Sequence, residues 1–280
     1  MLAISDLHVT HPENRRIVED LRGHSPEDWL IVGGDVSEMS TDVEWALGVL
    51  RERFATVVWV PGNHDLWSTP ADPLQLRGEA RYRHLVAVCR SLGVLTPEDP
   101  YPVWEGSGGP VTVAPLFVLY DYSFGANVAP TKELALARAY AAGVVCSDEF
   151  VLHPDPHPTR EAWCETRVRE SERRLEACDL QLPTVLVNHF PLVRAPTRRL
   201  YRPEFAQWCG TVRTADWHVR FRAKAVVYGH LHIPRVTIHD GVPFAEVSLG
   251  YPREWHRRNV SRALLHRVLP DAGGRDGQGA

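Results

Sequence analysis

Short apolar runs alternate with polar stretches along the first quarter of the chain. Residues 1–4, 29–32 and 56–60 each have the length and composition of a buried strand, and residues 13–21 and 44–54 between them have helical character. Buried strands that alternate with helices are typical of βαβ units and of a largely parallel sheet. The pattern therefore predicts an α/β fold.

The second half of the chain repeats this alternation. Residues 184–187 and 225–228 are further buried-strand runs, and residues 161–178 form an amphipathic helical pattern. Residues 111–119 and 242–249 also resemble strands, for which we expect antiparallel pairing.

The rest of the chain predicts less regular structure. Residues 120–158 are rich in proline, glycine and aromatic residues, which suggests an insertion over one edge of the sheet. Residues 271–280 have nothing to bury and should be disordered. No linker divides the chain, so we expect residues 1–270 to form one domain with a cap-like insertion near residues 120–160.

Each buried run ends at side chains that can bind a metal ion. In chain order they are Asp6 and His8, Asp35, Asn63 and His64, His189, and finally His230 and His232. The carboxyl ends of parallel strands face a common crevice, where ligands bind. Five separate segments are therefore expected to bring carboxylate, amide and imidazole groups to one rim.

The chemistry of this set is narrow. It contains no cysteine, and mixed imidazoles and carboxylates suit zinc, iron or manganese. The groups are too many for one ion, whereas two ions about 3.5–4 Å apart would use them all. Asp35 is the natural bridging ligand, because the glycines before it permit close approach, and Asn63 would add a neutral oxygen. His230 and His232 lie about 6.6 Å apart on one face of an extended segment, which suits neighbouring ions.

The ordered pattern resembles that of the calcineurin-like metallophosphoesterases. The matching blocks are Asp6-x-His8, Gly34-Asp35, Gly62-Asn63-His64-Asp65, His189 and Gly229-His230-x-His232. The resemblance implies a four-layer α/β/β/α sandwich with two mixed β-sheets.

The same resemblance implies a role for each residue. One metal ion would be bound by Asp6, His8, Asp35 and His232, and the second by Asp35, Asn63, His189 and His230. His64 would contact the substrate phosphate or protonate the leaving group, and Asp65 would orient His64.

Longer segments are similar to the actinobacterial 4′-phosphopantetheinyl hydrolases. They include WLIVGGDV, VWVPGNHDLW, PTVLVNHFPL, VYGHLHIPR and LGYPREW. This resemblance implies cleavage of the phosphodiester that joins 4′-phosphopantetheine to a serine of a carrier protein, with manganese as the expected metal and iron or zinc as alternatives. Candidate pantetheine-binding residues are Trp67, Tyr122, Tyr251 and Arg253. Two other functions stay open: a phosphodiesterase or phosphatase for small molecules or nucleotides, and a degenerate scaffold that only binds proteins.

Charge and composition narrow the possible partners. The chain has 31 basic and 35 acidic residues, and this net charge of −4 argues against a nucleic-acid-binding protein. Four arginines follow His189 closely, and a basic rim of this kind would steer an acidic carrier protein. They are Arg194, Arg198, Arg199 and Arg202. Five cysteines without paired spacing, no secretory segment and no membrane-spanning run predict a soluble cytoplasmic protein.

Overall fold

Two mixed sheets form the centre of the fold. The computed structural model describes residues 1–127, 129–179, 181–258 and 264–270. Within these residues one sheet has four strands and the other has six. This confirms the predicted α/β fold with two mixed sheets.

The four-stranded sheet is built from the first three apolar runs. Its strands are β1 (Leu2–Ile4), β2 (Trp29–Val32), β3 (Thr56–Trp59) and β10 (His266–Arg267), in the order β10-β1-β2-β3. The first three run parallel, and β10 pairs antiparallel with β1 at the edge. The carboxyl ends of β1, β2 and β3 consequently lie side by side.

The six-stranded sheet contains the later runs. Its strands are β4 (Val103–Trp104), β5 (Val111–Pro115), β6 (Thr184–Val187), β7 (Ala223–Tyr228), β8 (Arg235–His239) and β9 (Val242–Glu246), in the order β4-β5-β6-β7-β9-β8. The four central strands, β5, β6, β7 and β9, are parallel to one another, and the edge strands β4 and β8 are antiparallel to their neighbours.

Helices connect the strands and cover the sheets. They are α1 (Pro12–Asp20), α2 (Ser40–Arg51), α3 (Asn63–Leu66), α4 (Gly78–Ser91), α5 (Lys132–Ala141), α6 (Asp148–Val151), α7 (Arg160–Glu176), α8 (Trp217–Arg220) and α9 (Pro252–Arg257). Four 3₁₀ segments are also described: η1 (Ser123–Asn127), η2 (Ala195–Arg199), η3 (Pro203–Trp208) and η4 (Val212–Thr214).

Alternating side chains of each strand enter two different cores. In β2, Ile31 packs in a cluster with Val113 and Val185 of the second sheet, whereas Leu30 and Val32 pack in the cluster that contains the helical side chains. Successive strand residues point to opposite faces, so each sheet buries one face against the other sheet and one against helices. This is the packing expected of the predicted four-layer sandwich.

Several element predictions need correction. The predicted strands 111–119 and 242–249 end at Pro115 and Glu246, and each is antiparallel to only one of its two neighbours. The helix predicted at 44–54 begins four residues earlier, at Ser40. Residues 120–158 are not wholly irregular, because they contain α5, whose first turn is capped by the Thr131 side chain, and also α6.

Other predictions concern the C-terminal residues, membrane-spanning segments and the division into domains. The predicted disordered tail, 271–280, lies outside the described residues. In the described part of the chain, every helix is too short or too polar to cross a membrane. The single domain with a cap-like insertion stays a prediction.

Candidate metal and active site

The predicted site residues lie together where the strands of both sheets end. Asp6 and His8 follow β1, Asp35 follows β2, Asn63 and His64 begin α3 after β3, His189 follows β6, and His230 and His232 follow β7. The seven residues predicted as ligands are buried, except that His232 keeps partial exposure. Parallel strands in both sheets therefore direct these side chains to one place.

Sharp backbone turns aim the side chains inward. Asp6, His8, Asp35, His230 and His232 all have positive φ angles, of 55°, 42°, 54°, 69° and 54°. This left-handed region is sparsely populated by residues other than glycine, and such residues concentrate at functional sites. The left-handed residues follow β1, β2 and β7, where they bend the backbone away from a regular extended course, so closely spaced ligands can face the same space.

One cluster of possible ligands consists of Asp6, His8 and His232. The Nε2 atom of His232 lies 3.0 Å from Oδ1 of Asp6, and it lies 3.3 Å from Nε2 of His8. The serine hydroxyls of Ser5 and Ser248 donate to the other Asp6 oxygen at 2.5 and 2.7 Å. The carboxylate is thus held in one orientation toward the two rings.

A second cluster consists of Asp35, His189 and His230, with Asn63 beside it. The Nε2 atom of His189 is 3.3 Å from Oδ2 of Asp35 and 3.2 Å from Oδ1 of Asn63. The Nδ1 atom of His230 lies 3.2 Å from the same Asn63 oxygen. The ligand atoms of Asp35, His189 and His230 lie within 4.8 Å of one another, as do those of the first cluster.

The ionisation of the two carboxyl groups suits cation binding. Burial opposes ionisation, yet His232 beside Asp6 and His189 beside Asp35 outweigh it and hold both carboxyl pKa values below their usual range. Burial likewise opposes protonation of His232, but Asp6 and then Glu254 raise its pKa to about 10. The two carboxylates therefore form an anionic centre that attracts positive charge.

The other two rings are neutral. Burial, reinforced by His64, lowers the pKa of His8 to about 3, and burial reinforced by His189 does the same to His230. Both rings also have one buried nitrogen without a hydrogen-bond partner in the described part of the chain. Metal ligation requires neutral imidazoles and ionised carboxylates, so His8 and His230 already have the protonation state of a ligand. Burial opposes protonation of His189, but Asp35 raises its pKa to about 9, so His189 and His232 would each release a proton when a divalent ion binds.

Glycine at position 62 is required by the close packing of two site loops. A Cβ atom there would lie 2.0 Å from Oδ1 of Asp35 and 2.5 Å from the Asp35 backbone nitrogen. Real Cβ atoms do not approach so closely, and a side chain at this position would displace Asp35.

Asp65 binds backbone groups and does not contact His64. Its carboxylate accepts hydrogen bonds from the N–H groups of Asp35, Val36, Ser37 and Gly62, at 2.8–3.2 Å. This differs from the expected contact with His64, because these bonds join the loop after β2 to the loop after β3. Asp65 is thus placed to hold Asp35 in position.

Glu38 is the carboxylate that pairs with His64. Its Oε1 lies 2.6 Å from Nδ1 of His64. The His64 ring stacks on Trp67 with centroids 3.6 Å apart, and its edge faces His8 at 4.7 Å. Burial disfavours a charged His64, but Asp35 and then Glu38 more than compensate and raise its pKa.

A cavity of about 300 Å³ opens above these residues. Its polar side is formed by site residues, and its other walls are apolar: Val145 and Cys146 from the 120–160 segment, Leu200, Phe205 and Leu231. Trp67 and Tyr251, two of the four candidate substrate-binding residues, also line it. The Tyr251 ring stacks on His8, with centroids 4.5 Å apart.

The other two candidates lie elsewhere. Tyr122 is buried, and its hydroxyl donates to Glu149 and accepts from Arg160, so its polar end belongs to an internal network. Arg253 is exposed with its guanidinium 5.5 Å from the Tyr251 ring, outside the cavity lining. Neither residue is placed to contact a ligand in the cavity.

The four arginines lie around η2, at the edge of this cavity. Arg198, Arg199 and Arg202 are exposed, whereas Arg194 is half-buried. Arg198 and Arg199 line a second groove together with Thr237 and Ile238 of β8, and the next residue, Leu200, lines the cavity above the metal-ligand clusters. The basic groove and the cavity therefore lie on two sides of one short segment.

The calcineurin-like phosphoesterase family model matches residues 1–234. The chain belongs to the calcineurin-like phosphoesterase family. Members of this family use a dinuclear metal site, and both clusters of this phosphoesterase could hold metal. All seven predicted ligands converge, so the structure gives no support to a degenerate scaffold.

Specific relatives of this phosphoesterase are known. It is 56% identical over 269 residues to the [acyl-carrier-protein] phosphodiesterase PptH of Mycobacterium tuberculosis, covering 96% of this chain and 83% of that protein. The crystal structure of phosphopantetheinyl hydrolase (PptH) from M. tuberculosis matches it with a TM-score of 0.95 at 55% identity, over 99% of this chain and 98% of that one. The TT1561 protein of Thermus thermophilus is more distant, with a TM-score of 0.47 at 14% identity and 88% coverage of each chain.

Three supporting carboxylates of the phosphoesterase were missed by sequence reasoning. Glu38 could have been found, because it follows Asp35 by three residues in the same loop. Glu254, whose Oε2 lies 2.7 Å from Nδ1 of His232, belongs to the quoted segment LGYPREW. Asp148 contacts Asn63 from 85 residues away and has no local signal.

Proposed function

We propose that this phosphoesterase hydrolyses the phosphodiester bond between 4′-phosphopantetheine and the serine of an acyl carrier protein. Water forms the new bond to phosphorus, the bond from phosphorus to the serine oxygen breaks, and that oxygen takes up a proton. The products are apo carrier protein and free 4′-phosphopantetheine. The observation that carries the proposal is the 56% identity with PptH over 96% of the chain.

Two divalent ions would be held by the two clusters. One would be bound by Asp6, His8, Asp35 and His232, the other by Asp35, Asn63, His189 and His230. Such ions supply Lewis acidity toward the phosphoryl oxygens and toward the attacking water. We propose manganese, with iron or zinc as alternatives for the same donor set.

His64 is the proposed proton donor to the serine oxygen. Because its Nδ1 is bonded to Glu38, its Nε2 is the nitrogen left for the cavity that it lines. The negative charge of Glu38 and Asp35 favours the protonated ring, which is the form that a general acid needs. Trp67 covers one face of the ring and limits its rotation.

The shape of the cavity suits the pantetheine arm. Val145, Leu200 and Phe205 line the cavity and would offer apolar surface to its dimethyl group, while Trp67 and Tyr251, which lie beside His64 and His8, would border the phosphate. Ligand pockets commonly combine apolar walls with a few polar groups in this way. We also propose that residues 1–270 are one domain and that 120–160 is a cap-like insertion, since Val145 from that segment lines the cavity.

The exposed arginines around η2 are the proposed docking surface for the carrier protein. Arg198 and Arg199 have no hydrogen-bond or ion-pair partner in the part of the chain that is described, and Tyr201 beside them is 92% exposed. Unpaired cations at a cavity rim favour an acidic partner and raise its association rate. An acidic carrier protein docked there would have its serine close to the cavity entrance.

The proposed reaction is tested by mass. Holo carrier protein is incubated with the Mn²⁺-loaded enzyme, and its intact mass is measured before and after. A loss equal to phosphopantetheine is expected, and a chelator or the His64→Ala substitution should suppress it. The contrary result is an enzyme that cleaves bis(p-nitrophenyl) phosphate and yet leaves the mass of several different holo carrier proteins unchanged. That result would reject the carrier-protein reaction and favour a phosphodiesterase for small molecules.

Docking is tested by charge reversal. Substituting Arg198→Glu together with Arg199→Glu should raise the KM for holo carrier protein by roughly tenfold, because rim charges act mainly on association. The rate with bis(p-nitrophenyl) phosphate should not change. Arg16→Glu with Arg267→Glu, two exposed arginines on α1 and β10, is the matched control, and an equal KM increase in it would exclude a specific docking role.

A further inference from the structure

Asp148 is a fully buried carboxylate that reaches the site from the 120–160 segment. It is the first residue of α6, and its backbone carbonyl accepts a hydrogen bond of 2.6 Å from Arg160. Its Oδ1 accepts two hydrogen bonds, from Nδ2 of Asn63 at 3.0 Å and from Nε1 of Trp67 at 2.6 Å. One oxygen atom therefore contacts a proposed metal ligand and the residue that stacks on His64.

The bond to Asn63 determines which end of that amide faces the metal cluster. Because Nδ2 points to Asp148, Oδ1 points to His189 and His230, at 3.2 Å from each. The two ends of an amide have opposite hydrogen-bonding character, and only the oxygen can bind a cation. Without an acceptor at position 148, the amide could rotate and present its NH₂ group to the cluster.

The bond to Trp67 has a parallel effect on the catalytic side. The indole has one polar atom, Nε1, and Asp148 fixes it. The indole ring then lies over His64, with ring planes inclined by 28°. Residues 145–147, which directly precede Asp148, form the facing wall of the cavity.

We propose that Asp148 is a positioning residue, which fixes the amide of Asn63 with its oxygen toward the metal ions and the indole of Trp67 over His64. The proposal rests on the proposed ligand role of Asn63. It also links the wall that would contact the substrate to the residues that would bind metal, since one short segment supplies both.

The acceptor, and not the charge, is what this role requires. Asp148→Asn keeps an oxygen that can accept both hydrogen bonds, whereas Asp148→Ala removes it. Loss of a group that orients a metal ligand typically weakens metal binding by about 10- to 100-fold. The purified metal-free chain is titrated with Mn²⁺ in a calorimeter, which measures the Kd for the ion. The alanine variant should show this loss of affinity, and the asparagine variant should bind Mn²⁺ with a Kd within about threefold of that of the unsubstituted chain.

Two further variants separate positioning from general support. Glu149→Ala disrupts the same segment, because Glu149 accepts hydrogen bonds from Tyr122 and Trp208, but it does not touch the site. It should lower the melting temperature and leave Mn²⁺ affinity unchanged. Trp67→Phe keeps a ring over His64 and the bond from Asn63 to Asp148, so Mn²⁺ affinity should again be unchanged.

This test can fail independently of the test of the proposed reaction, because metal binding is measured without carrier protein. Equal Mn²⁺ affinity in Asp148→Ala and the unsubstituted chain would overturn the proposal, and so would an asparagine variant as weak as the alanine variant. If Asp148→Ala does not fold, Asp148→Ser, whose shorter side chain cannot reach Asn63, is titrated in its place. An unsubstituted chain that binds no divalent ion would instead contradict the metal site itself.

Discussion

Replacing Asp65 by asparagine tests whether this carboxylate holds the site loops together or acts through His64. The two oxygens of Asp65 each accept two backbone N–H groups, Oδ2 from Asp35 and Gly62 and Oδ1 from Val36 and Ser37. Asparagine has one oxygen and one NH₂ group. Whichever way it is oriented, its NH₂ group faces two N–H donors that have lost their acceptor.

The loss of stability can be estimated from the two backbone N–H groups that lose their acceptor. A buried donor left without an acceptor costs about 1–3 kcal/mol, so Asp65→Asn should lower the free energy of unfolding by about 2–6 kcal/mol. Domains are stable by only about 5–15 kcal/mol, so the loss is large. At about 2–4 °C per kcal/mol, the melting temperature should fall by roughly 4–24 °C.

Two quantities are measured. Circular dichroism monitors thermal unfolding of the metal-free chain, and the rate of phosphodiester hydrolysis is measured with the Mn²⁺-loaded enzyme. His64→Ala is the control, since it removes the ring and leaves all four Asp65 hydrogen bonds intact. Asp65→Asn should lose both stability and activity, and His64→Ala only activity. A melting temperature within about 2 °C of the unsubstituted chain, combined with a lower rate, would refute the role of Asp65 in joining the loops.

Substitutions of His64 and Asp35 test which residues bind metal and which act only in catalysis, and a substitution of Glu38 tests the partner of His64. His64→Ala should retain both ions, measured by mass spectrometry of the metal content, while kcat falls by about 10²–10⁴, the usual contribution of one general acid; loss of metal would contradict its role as a non-ligand. Asp35→Asn should lose both metal and activity, because it weakens the proposed shared ligand. Glu38→Gln replaces a charged hydrogen bond to His64 by a neutral one, a difference of about 1.4 kcal/mol, so kcat should fall about tenfold with little change in KM; a change in KM alone would argue against this function of Glu38.

The strands and their polar ends could be predicted because their signals are local. Each of the runs at β1, β2, β3, β6 and β7 is apolar, and a ligand follows it within a few residues. The parallel arrangement then brings residues that are distant in sequence together without any further information. This is why all seven predicted ligands lie in one place.

Elements without a continuous apolar pattern were not predicted. Helix α4 buries Arg81 in its core-facing side, where the guanidinium pairs with Asp72 at 2.7 Å and both side chains are about 1% exposed. Strand β8 is an edge strand with mostly exposed side chains, such as Ile238 at 67%. In both cases tertiary contacts, and not local hydrophobicity, decide the structure.

The contacts of the supporting carboxylates could not be predicted for a related reason. Asp65 lies beside His64 in the sequence, but its position in the first turn of α3 points its carboxylate at backbone N–H groups of another loop. Asp148 meets Asn63 only because the 120–160 segment folds over the site. Sequence distance therefore gave the wrong partner in one case and none in the other.

The left-handed backbone at the strand ends has a consequence for protein engineering. Five of the seven proposed ligands, Asp6, His8, Asp35, His230 and His232, depend on turns that most residues avoid. Grafting the seven side chains onto an ordinary parallel sheet would not reproduce the site, since regular strand ends direct alternate residues to opposite faces. A graft would have to include the turns with their glycines and the Asp65 carboxylate that joins two of them. Once these turns are in place, the metal-binding side chains that they carry could be exchanged.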